Sequence, residues 1–322
     1  MLAVLLVSCI AEECPYNGMP QHRTQALMTI EVVKDGAEKE DYVRTARFIV
    51  FDNASSGPSL DINELLKLHP EDQDAVTFRT TLKVNCDPDK MLVVIVNEPE
   101  SMTGFLNDVV SLAELEGMTF RMADAFNSNH TGLRTTGLPM TGVEGRISVT
   151  EENNTESKAA TVKIPIERAV ARVELWLKTD PQASVEITAS TNVTLAKSHN
   201  QGYLIGPDPI DNFGRMMTVS SPSEAVTWFY PNPSPLILTQ TEQFVCAYTP
   251  ERTCSAANNQ DKLALYIRGL ATPEESREGV TVLTSFTSEN GSTHPVTEIR
   301  RNNIYKVVGH VKTMQFEHTI LP

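Results

Sequence analysis

Histidine, cysteine and carboxylate side chains could do chemistry in this chain, but they are not grouped for it. The seven histidines are scattered, and none stands at a metal-ligand spacing from another histidine or a cysteine. The motifs of zinc proteases, serine hydrolases, P-loop enzymes and dinucleotide-binding folds do not occur. Asp87 and Asp89 form a close carboxylate pair, but Pro88 between them and the apolar run that follows favour a β-turn. The sequence therefore predicts no catalytic residue, no metal and no cofactor, and hence a protein that is not an enzyme.

The most informative cysteine lies near the N-terminus. Residues 1–7 form an apolar run that is too short to cross a bilayer, which takes about 20 residues. This run resembles the end of a secretory signal sequence, and its last residues enter Leu6-Val7-Ser8-Cys9, which matches the bacterial lipobox. We expect Cys9 to be the lipidation site of an exported precursor. The alternative is a buried N-terminal strand that carries a cysteine by chance.

Two other cysteines, Cys246 and Cys254, are eight positions apart around a turn that contains Pro250. A local disulfide between them is an open alternative in an oxidising compartment. No CxxC pair occurs, so a zinc site is not indicated.

The charge of the chain argues against two classes of partner. The formal net charge is -14, whereas binding to nucleic acid needs clustered lysines and arginines that neutralise phosphates. Electrostatic binding to anionic lipid has the same requirement. We therefore expect no nucleic-acid partner and an acidic, well-solvated surface.

The elements that would position any site are mainly strands. Short alternating or continuous apolar runs, separated by Gly, Pro, Asn and Ser, predict strands. They cover residues 28–33, 46–52, 76–84, 91–97, 161–177, 185–195, 226–230, 244–248, 263–267, 280–286 and 304–311. Two helices are predicted: residues 61–69, which begin with a good N-cap and stop at Pro70, and residues 111–125, which open with a capping-box spacing.

The length of 322 residues suits about two domains. Many short strands with turn signals and few helices indicate a pair of β-sandwiches. In residues 171–177, Ala171, Val173 and Leu175 share one face with Leu177, and this long extended run could carry the chain from one sandwich into the next. We expect a signal-peptide remnant with the lipobox at 1–9, a tether at 10–24, and β-sandwich domains at 25–169 and 170–322.

Seven short patterns occur in order along nearly the whole chain: residues 44–52, residues 90–98, Gly137-Leu138-Pro139-Met140-Thr141-Gly142, residues 166–173, Asn192-Val193 with Gly202-Tyr203-Leu204, Tyr248-Thr249-Pro250-Glu251-Arg252, and residues 301–307. Together they resemble the fimbrillins of Bacteroidetes, the subunits of type V pili, including the Mfa-like lipoproteins. The resemblance implies an all-β fold: two tandem antiparallel β-sandwich domains, transthyretin-like or Ig-like, with short inserted helices. Two features depart from the family: Arg252 stands where asparagine is frequent, and only 11 residues follow Val311.

The resemblance also implies a way of assembly and a location. The precursor would be exported as a lipoprotein to the outer membrane, and a protease specific for arginine or lysine would then remove its first strand. A C-terminal strand of the next pilin subunit would fill the groove, giving a head-to-tail fimbria that supports cell adhesion. Arg44 and Arg47 are the cleavage candidates, with Arg44 preferred because Arg47 falls within a predicted strand; the alternative is two ordinary solvent-facing arginines.

The segments that would take part in this exchange can be named. The removable strand would fill the groove with Leu27, Met28, Ile30 and Val32. The donor would be residues 309–322, with Val311, Met314, Phe316 and Ile320.

The sequence is also compatible with a function of another class. A monomeric outer-membrane surface lipoprotein that binds glycans would use exposed aromatic side chains, for which Trp228, Phe229 and Tyr230 are the candidates. Since these three alternate across a predicted strand, at least one of them should lie in the core.

Overall fold

The structure is a computed structural model, and strands dominate it, as the all-β prediction requires. The described residues are 24–34, 41–52, 58–126, 137–178, 185–207, 227–228, 236–238, 243–254, 262–271, 276–288, 291–310 and 315–321. No helix within these ranges is long and apolar enough to cross a membrane.

The first half of the chain contributes eight strands and three short α-helices. The strands are β1 (Gln25–Lys34), β2 (Thr45–Asp52), β3 (Ser59–Lys67), β4 (Thr77–Asn85), β5 (Asp87–Val96), β6 (Thr119–Arg121), β7 (Met140–Val149) and β8 (Ala160–Arg168). The helices are α1 (Thr103–Asn107), α2 (Leu112–Glu116) and α3 (Met122–Ala125), with 3-10 turns at Pro70–Asp72, Glu100–Met102 and Glu156–Lys158.

The second half is built from strands alone in its described part. These are β9 (Val170–Lys178), β10 (Val185–Ala196), β11 (Gln201–Tyr203), β12 (Thr227–Trp228), β13 (Leu236–Leu238), β14 (Gln243–Pro250), β15 (Arg252–Thr253), β16 (Ala264–Ala271), β17 (Ser276–Val282), β18 (Ser285–Thr287), β19 (Thr293–Pro295), β20 (Glu298–Ile299), β21 (Ile304–His310) and β22 (Gln315–Leu321).

Seven strands of the first half follow the order β3-β2-β5-β7-β8-β1-β4. The path nearly breaks between β7 and β8, which pair only at Met140 with Arg168 and at Thr141 with Glu167. It therefore forms two layers, β3-β2-β5-β7 and β8-β1-β4, whose inner faces share one core. The continuous apolar run of β5 lies wholly inside, since every side chain from Leu92 to Val96 is buried.

The second half forms two main sheets, β14-β9-β21-β22-β18-β19 and one that contains β12-β10-β16-β17. The alternation predicted for 171–177 is confirmed, because Ala171, Val173, Leu175 and Leu177 all lie in the second core. Not every pairing is antiparallel: β1 runs parallel to β8, and β9 runs parallel to β21. The sheets are thus mixed. Both parallel pairs join strands that are far apart in the sequence, so no short hairpin connection fixes their relative direction.

One predicted helix is wrong. Residues 61–67 form most of β3, an edge strand that pairs antiparallel with β2. The Asp61 carboxylate does not cap a helix; it accepts hydrogen bonds from the backbone N–H and side-chain amide of Asn85 and lies 2.7 Å from Lys90 Nζ. Sheet pairing and this buried lysine overrode the local helix signals.

The second predicted helix is correct only in its first turn. Ser111 and Glu114 form the expected capping box, but α2 ends at Glu116 with Gly117 as its C-cap, and residues 119–125 divide between β6 and α3. The local disulfide that the sequence left open between Cys246 and Cys254 is not formed. Cys254 lies in the second core, whereas Cys246 pairs with Glu174 on the opposite face of the sheet, so their side chains cannot meet.

Candidate functional site

Strand β1 is inserted between two strands that do not pair with each other in the described part of the chain. It runs antiparallel to β4 from Gln25 to Val33 and parallel to β8 from Met28 to Lys34. A strand so near the start of the chain therefore forms the centre of the β8-β1-β4 layer. Its removal would expose two rows of backbone hydrogen-bonding groups at once.

The buried face of β1 differs by one residue from the prediction. Met28, Ile30 and Val32 are fully buried in the first core, but the fourth apolar member is Ala26. Leu27 is half-buried and lies on the outward face with Thr29, Glu31 and Val33. The groove beneath β1 is thus lined for one small and three larger apolar side chains.

The C-terminal end of β1 carries a buried cation. Lys34 is only 3% exposed, and its Nζ donates a hydrogen bond to the Asp41 carbonyl at 2.8 Å. The same Nζ lies 5.7 Å from the centre of the Tyr42 ring. Burial lowers the Lys34 pKa, and the negative charges of Asp41 and Asp74 act in the opposite direction. A lysine at this end of an apolar face is therefore held by specific partners.

The two predicted cleavage arginines lie in different surroundings. Arg47 is buried within β2, with its guanidinium paired to both carboxylate oxygens of Glu98 and bonded to Asn63 and Asn107. A protease cannot reach it in the folded chain. Arg44 precedes β2 and is half-buried; its N–H donates to Asn97 Oδ1, and its carbonyl accepts from the Leu68 N–H.

Asn97, at the end of β5, ties three separate segments together. Its side-chain amide donates to the carbonyls of Tyr42 and Leu138, and its Oδ1 accepts from the Arg44 N–H. Gly137 lies against this amide at a φ of 79°. A Cβ at Gly137 would lie 2.6 Å from Asn97 Nδ2 and 2.8 Å from the Tyr42 carbonyl. Three of the motifs that carry the family resemblance, residues 44–52, 90–98 and 137–142, thus meet here.

Gly137→Ala is expected to lower the free energy of unfolding by about 1–3 kcal/mol, because it combines a strained φ with a backbone clash. Gly104→Ala is the matched control, since Gly104 lies in α1 with no neighbour within 4 Å of its added Cβ. That control should be neutral or slightly stabilising. Urea unfolding of both variants measures the difference, and equal effects would contradict this role of Gly137.

Arg301 is the centre of a second polar cluster, which we call the joint: Arg301, Glu251, Thr141, Tyr203 and Leu204. Its guanidinium pairs with Glu251 at 2.7 Å. It also donates to Thr141 Oγ1 and to the carbonyls of Leu204 and Tyr203, at 3.1, 3.0 and 2.9 Å. Thr141 belongs to β7 of the first sheet, whereas Arg301 and Glu251 flank strands of the second half. One buried side chain therefore connects the two halves.

A further contact brings this region close to the end of β1. The Asp41 carboxylate makes two hydrogen bonds of 2.8 Å with the guanidinium of Arg168, at the end of β8. The Arg168 N–H donates to the side-chain oxygen of Asn302, which is adjacent to Arg301 in the chain. Lys34 and the joint are thus linked through three residues, Asp41, Arg168 and Asn302.

The C-terminal residues form part of a sheet within the same chain. Strand β22 pairs with β21 along its whole length, from Gln315 to Leu321. Phe316 and Ile320 are partly buried and pack against the second core. Val311 and Met314 lie outside the described residues. Donation of this strand to another subunit would require it to leave its own sheet, and this role stays a prediction.

His318, in the middle of β22, connects this strand to Thr281, Ser285 and Phe286. Thr281 Oγ1 lies 2.9 Å from its Nε2, and its Nδ1 lies 3.2 Å from the Ser285 carbonyl. Since a carbonyl can only accept, Nδ1 is the donor of that hydrogen bond. The ring packs against Phe286. Burial lowers the His318 pKa below its ordinary value of 6.5, and the Ser285 hydrogen bond opposes that shift.

Acidification is therefore expected to destabilise the wild type through His318. Since the folded chain binds its proton less readily than the unfolded chain, this contribution is complete above the ordinary pKa of 6.5 and is lost as the pH falls through the lowered value. His318→Asn keeps a donor for Ser285 but does not titrate. We expect its free energy of unfolding to fall less than that of the wild type between about pH 8 and about pH 5. An identical loss in both proteins would contradict this assignment.

Several remaining predictions concern residues whose structure is not described. Cys9 lies outside the described ranges, as do Phe229 and Tyr230. Trp228 lies in β12, which pairs with β10.

Within the described ranges, no group of three or more His, Cys, Asp or Glu could hold a metal ion. The Asp87–Asp89 pair is a local contact, in which the Asp89 N–H donates to Asp87 Oδ1 at 2.9 Å.

Sequence reasoning missed the roles of Lys34, Asp41, Asn97 and Arg301. Asn97 and Arg301 lie inside motifs that carry the family resemblance, and this position was a sign that they matter. Their contacts could not be predicted from the sequence, because partners such as Arg301 and Thr141 are 160 residues apart in the chain.

The fold is shared with solved fimbrial proteins. The tip fimbrial protein Mfa3 of Porphyromonas gingivalis, in a C-terminally truncated form, matches with a TM-score of 0.62 and 14% identity, covering 92% of this chain and 99% of that chain. A fimbrial assembly protein of Parabacteroides distasonis matches with a TM-score of 0.55 and 10% identity, covering 92% and 96%. No protein-family model matches the sequence, and a comparison with curated proteins finds no match. The resemblance that the motifs indicate is thus confirmed at the level of the fold: the chain has the fold of the Bacteroidetes fimbrial proteins.

Proposed function

We propose that the chain is a structural subunit of a bacterial surface fimbria of the type V class, which supports cell adhesion. In this proposal it is exported as a lipoprotein, lipidated at Cys9 and presented at the outer membrane. It comprises two domains, residues 25–169 and 170–322. The change from the first core to the second between Val170 and Ala171 supports that boundary, while Leu204, Ile205 and Tyr248 of the second half pack in the first core. Its partners are other pilin subunits and a processing protease.

The observation that carries the proposal is the position of β1. An N-terminal strand that fills the centre of a layer, between a parallel and an antiparallel neighbour, can be replaced by an incoming strand without reordering the rest. Burial of Met28, Ile30 and Val32 is worth about 1.5–3 kcal/mol for each side chain. A groove emptied of them would favour a substitute strand of similar character.

Processing is proposed at Arg44 rather than at Arg47. Arg47 is enclosed by Glu98, Asn63 and Asn107, whereas Arg44 lies in the connection that precedes β2. Cutting after Arg44 would still require its carbonyl to release the Leu68 N–H. Local opening of this segment is therefore the step that would control the protease.

The test uses cells that assemble the fibre. Wild-type protein should form a ladder on a denaturing gel run without boiling, and antibody to residues 170–322 should label surface fibres. Arg44→Ala should abolish the ladder, whereas Arg121→Ala, which changes an exposed arginine, should leave it intact. Fibres that form normally without this protein, while it runs only as a monomer, would overturn the proposal.

A further inference from the structure

A fully buried lysine lies between two carboxylates in the first half of the chain. The side chains of Lys90, Asp52 and Asp61 are 0, 2 and 3% exposed. Lys90 Nζ forms an ion pair with Asp52 Oδ1 and lies 2.7 Å from Asp61 Oδ2. Adjacent strands supply the three groups, since Asp61 belongs to β3, Asp52 to β2 and Lys90 to β5. One amine and two carboxyl groups are therefore enclosed together, away from water.

Strand pairing holds the lysine against one of these carboxylates. Asp52 lies directly opposite Lys90 in the antiparallel ladder of β2 and β5. Opposed residues of such a ladder have Cβ atoms about 4.5–5.5 Å apart. The next pair on the same face is Val50 with Leu92, and both side chains are fully buried. Lys90 and Asp52 therefore stay in contact unless the ladder itself opens.

The second carboxylate is oriented by a neighbour. Asp61 Oδ1 accepts a hydrogen bond of 2.6 Å from the side-chain amide of Asn85, and Asp61 Oδ2 accepts one of 2.9 Å from the Asn85 N–H. These two bonds direct Oδ2 at Lys90 Nζ. Asp61 is thus placed to accept a proton from the amine, at a distance suited to general acid–base chemistry.

The three groups together have the composition that amide formation needs. Burying an ammonium and a carboxylate costs desolvation energy, and an amide between them would carry no charge. Groups held in reactive contact behave as if at effective concentrations on the order of 10⁵–10⁸ M. Such proximity favours condensation over hydrolysis, and the enclosure keeps out the water that would reverse it. The site is therefore suited to a covalent bond between β2 and β5.

We propose that Lys90 and Asp52 form an intramolecular isopeptide bond, with Asp61 as the proton shuttle. Nζ first transfers a proton to the Asp52 carboxylate, which leaves a neutral amine and a neutral acid. The Nζ lone pair then attacks Cγ of Asp52, so that the C–N bond forms. Asp61 takes a proton from the nitrogen and delivers it to the departing hydroxyl group. The C–O bond breaks, one water molecule leaves, and Asp61 is a carboxylate again.

This bond would lie in the β3-β2-β5-β7 layer, on the other side of the first core from β1. The inference therefore does not depend on the proposed strand exchange. It adds to that proposal, because a cut after Arg44 would make β2 the first strand of the processed chain. A covalent bond from Asp52 to Lys90 would keep this new N-terminal strand in its sheet.

The experiment measures the intact mass of the full chain under denaturing conditions, both freshly purified and after long storage in the folded state. The wild type should be lighter than its sequence by one water molecule. Proteolytic digestion should give a branched peptide, and its fragmentation should place the link at Lys90 and Asp52. This assignment is made on the wild type alone, so it holds even if a variant fails to fold. A wild type that keeps its full sequence mass at both times would overturn the proposal.

Three variants separate the roles of the residues. Lys90→Met should have its full sequence mass, whereas Lys83→Met, which changes an exposed lysine of β4, should still lack one water. Asp61→Asn should form the bond about 100-fold more slowly or worse, because it removes the proton shuttle. A water deficit in Lys90→Met would show a different reaction, such as ring closure at Asp52, and would overturn the assignment. Equal rates in the wild type and Asp61→Asn would overturn the role of Asp61.

Discussion

Replacing Arg301 by methionine is expected to lower the free energy of unfolding by about 3–5 kcal/mol, the usual cost of breaking a buried ion pair from one side. The variant leaves Glu251 as a buried carboxylate without its guanidinium partner. It also removes the hydrogen bonds to Thr141 and to the carbonyls of Tyr203 and Leu204. Most of the loss comes from these stranded acceptors rather than from the missing side chain.

The neighbouring arginine provides the control. Arg300 is largely exposed and its side chain pairs with Glu298, also at the surface, so Arg300→Met should change stability by less than about 1 kcal/mol. The double variant Arg301→Met with Glu251→Leu should recover part of the loss, since it removes the unpaired charge. Urea unfolding of the three variants measures these differences. Equal effects of the two arginine substitutions would show that the joint contributes nothing to holding the halves together.

Ile30→Ala is expected to lower the free energy of unfolding by about 2–5 kcal/mol, because it opens a cavity in the middle of the first core. Ile30 lies at the centre of β1, opposite Thr80 of β4 and Val162 of β8. Since β1 joins these two strands, the loss should weaken the attachment of the whole layer. Amide exchange in β4 and β8 should accelerate with it.

A pair of adjacent valines tests whether the effect belongs to the buried face. Val32→Ala and Val33→Ala remove the same methyl groups from the same strand, but Val32 is fully buried and Val33 is half-buried on the outward face. Val32→Ala should cost about 1–2 kcal/mol more than Val33→Ala. Similar costs, or a larger cost at Val33, would mean that β1 is not held by its inward side chains.

Alternation predicted the strands well because one face of each is buried. The alternating run of β9 and the continuous run of β5 both identify their elements correctly. The same reasoning misassigned one residue in β1, where Leu27 is more apolar than Ala26 but lies outside the core. The period of two that places Met28, Ile30 and Val32 inward extends to Ala26, so the position of Leu27 in the alternation was the better guide than its hydrophobicity.

Local signals failed where tertiary pairing opposed them. The N-cap signal at Asp61 and the stop at Pro70 are typical of a helix, yet Asp61 is recruited by Lys90 and Asn85 into an edge strand. The motifs that contribute to the candidate site could be recognised in the sequence, but their proximity in the folded chain could not. The contacts of the site join segments such as residues 41–44, 97, 137–142 and 301, which only the folded topology brings together.

Hydrogen exchange after removal of β1 tests the central claim most directly. The chain is cut within residues 35–40, the N-terminal fragment is dissociated, and amide protection is compared strand by strand with that of the uncut protein. We predict that β4 and β8 lose protection, that β2, β5 and β7 keep it, and that added peptide 24–34 restores β4 and β8. Full protection of β4 and β8 in the absence of the fragment would contradict the claim that β1 is a replaceable insert on which this layer depends.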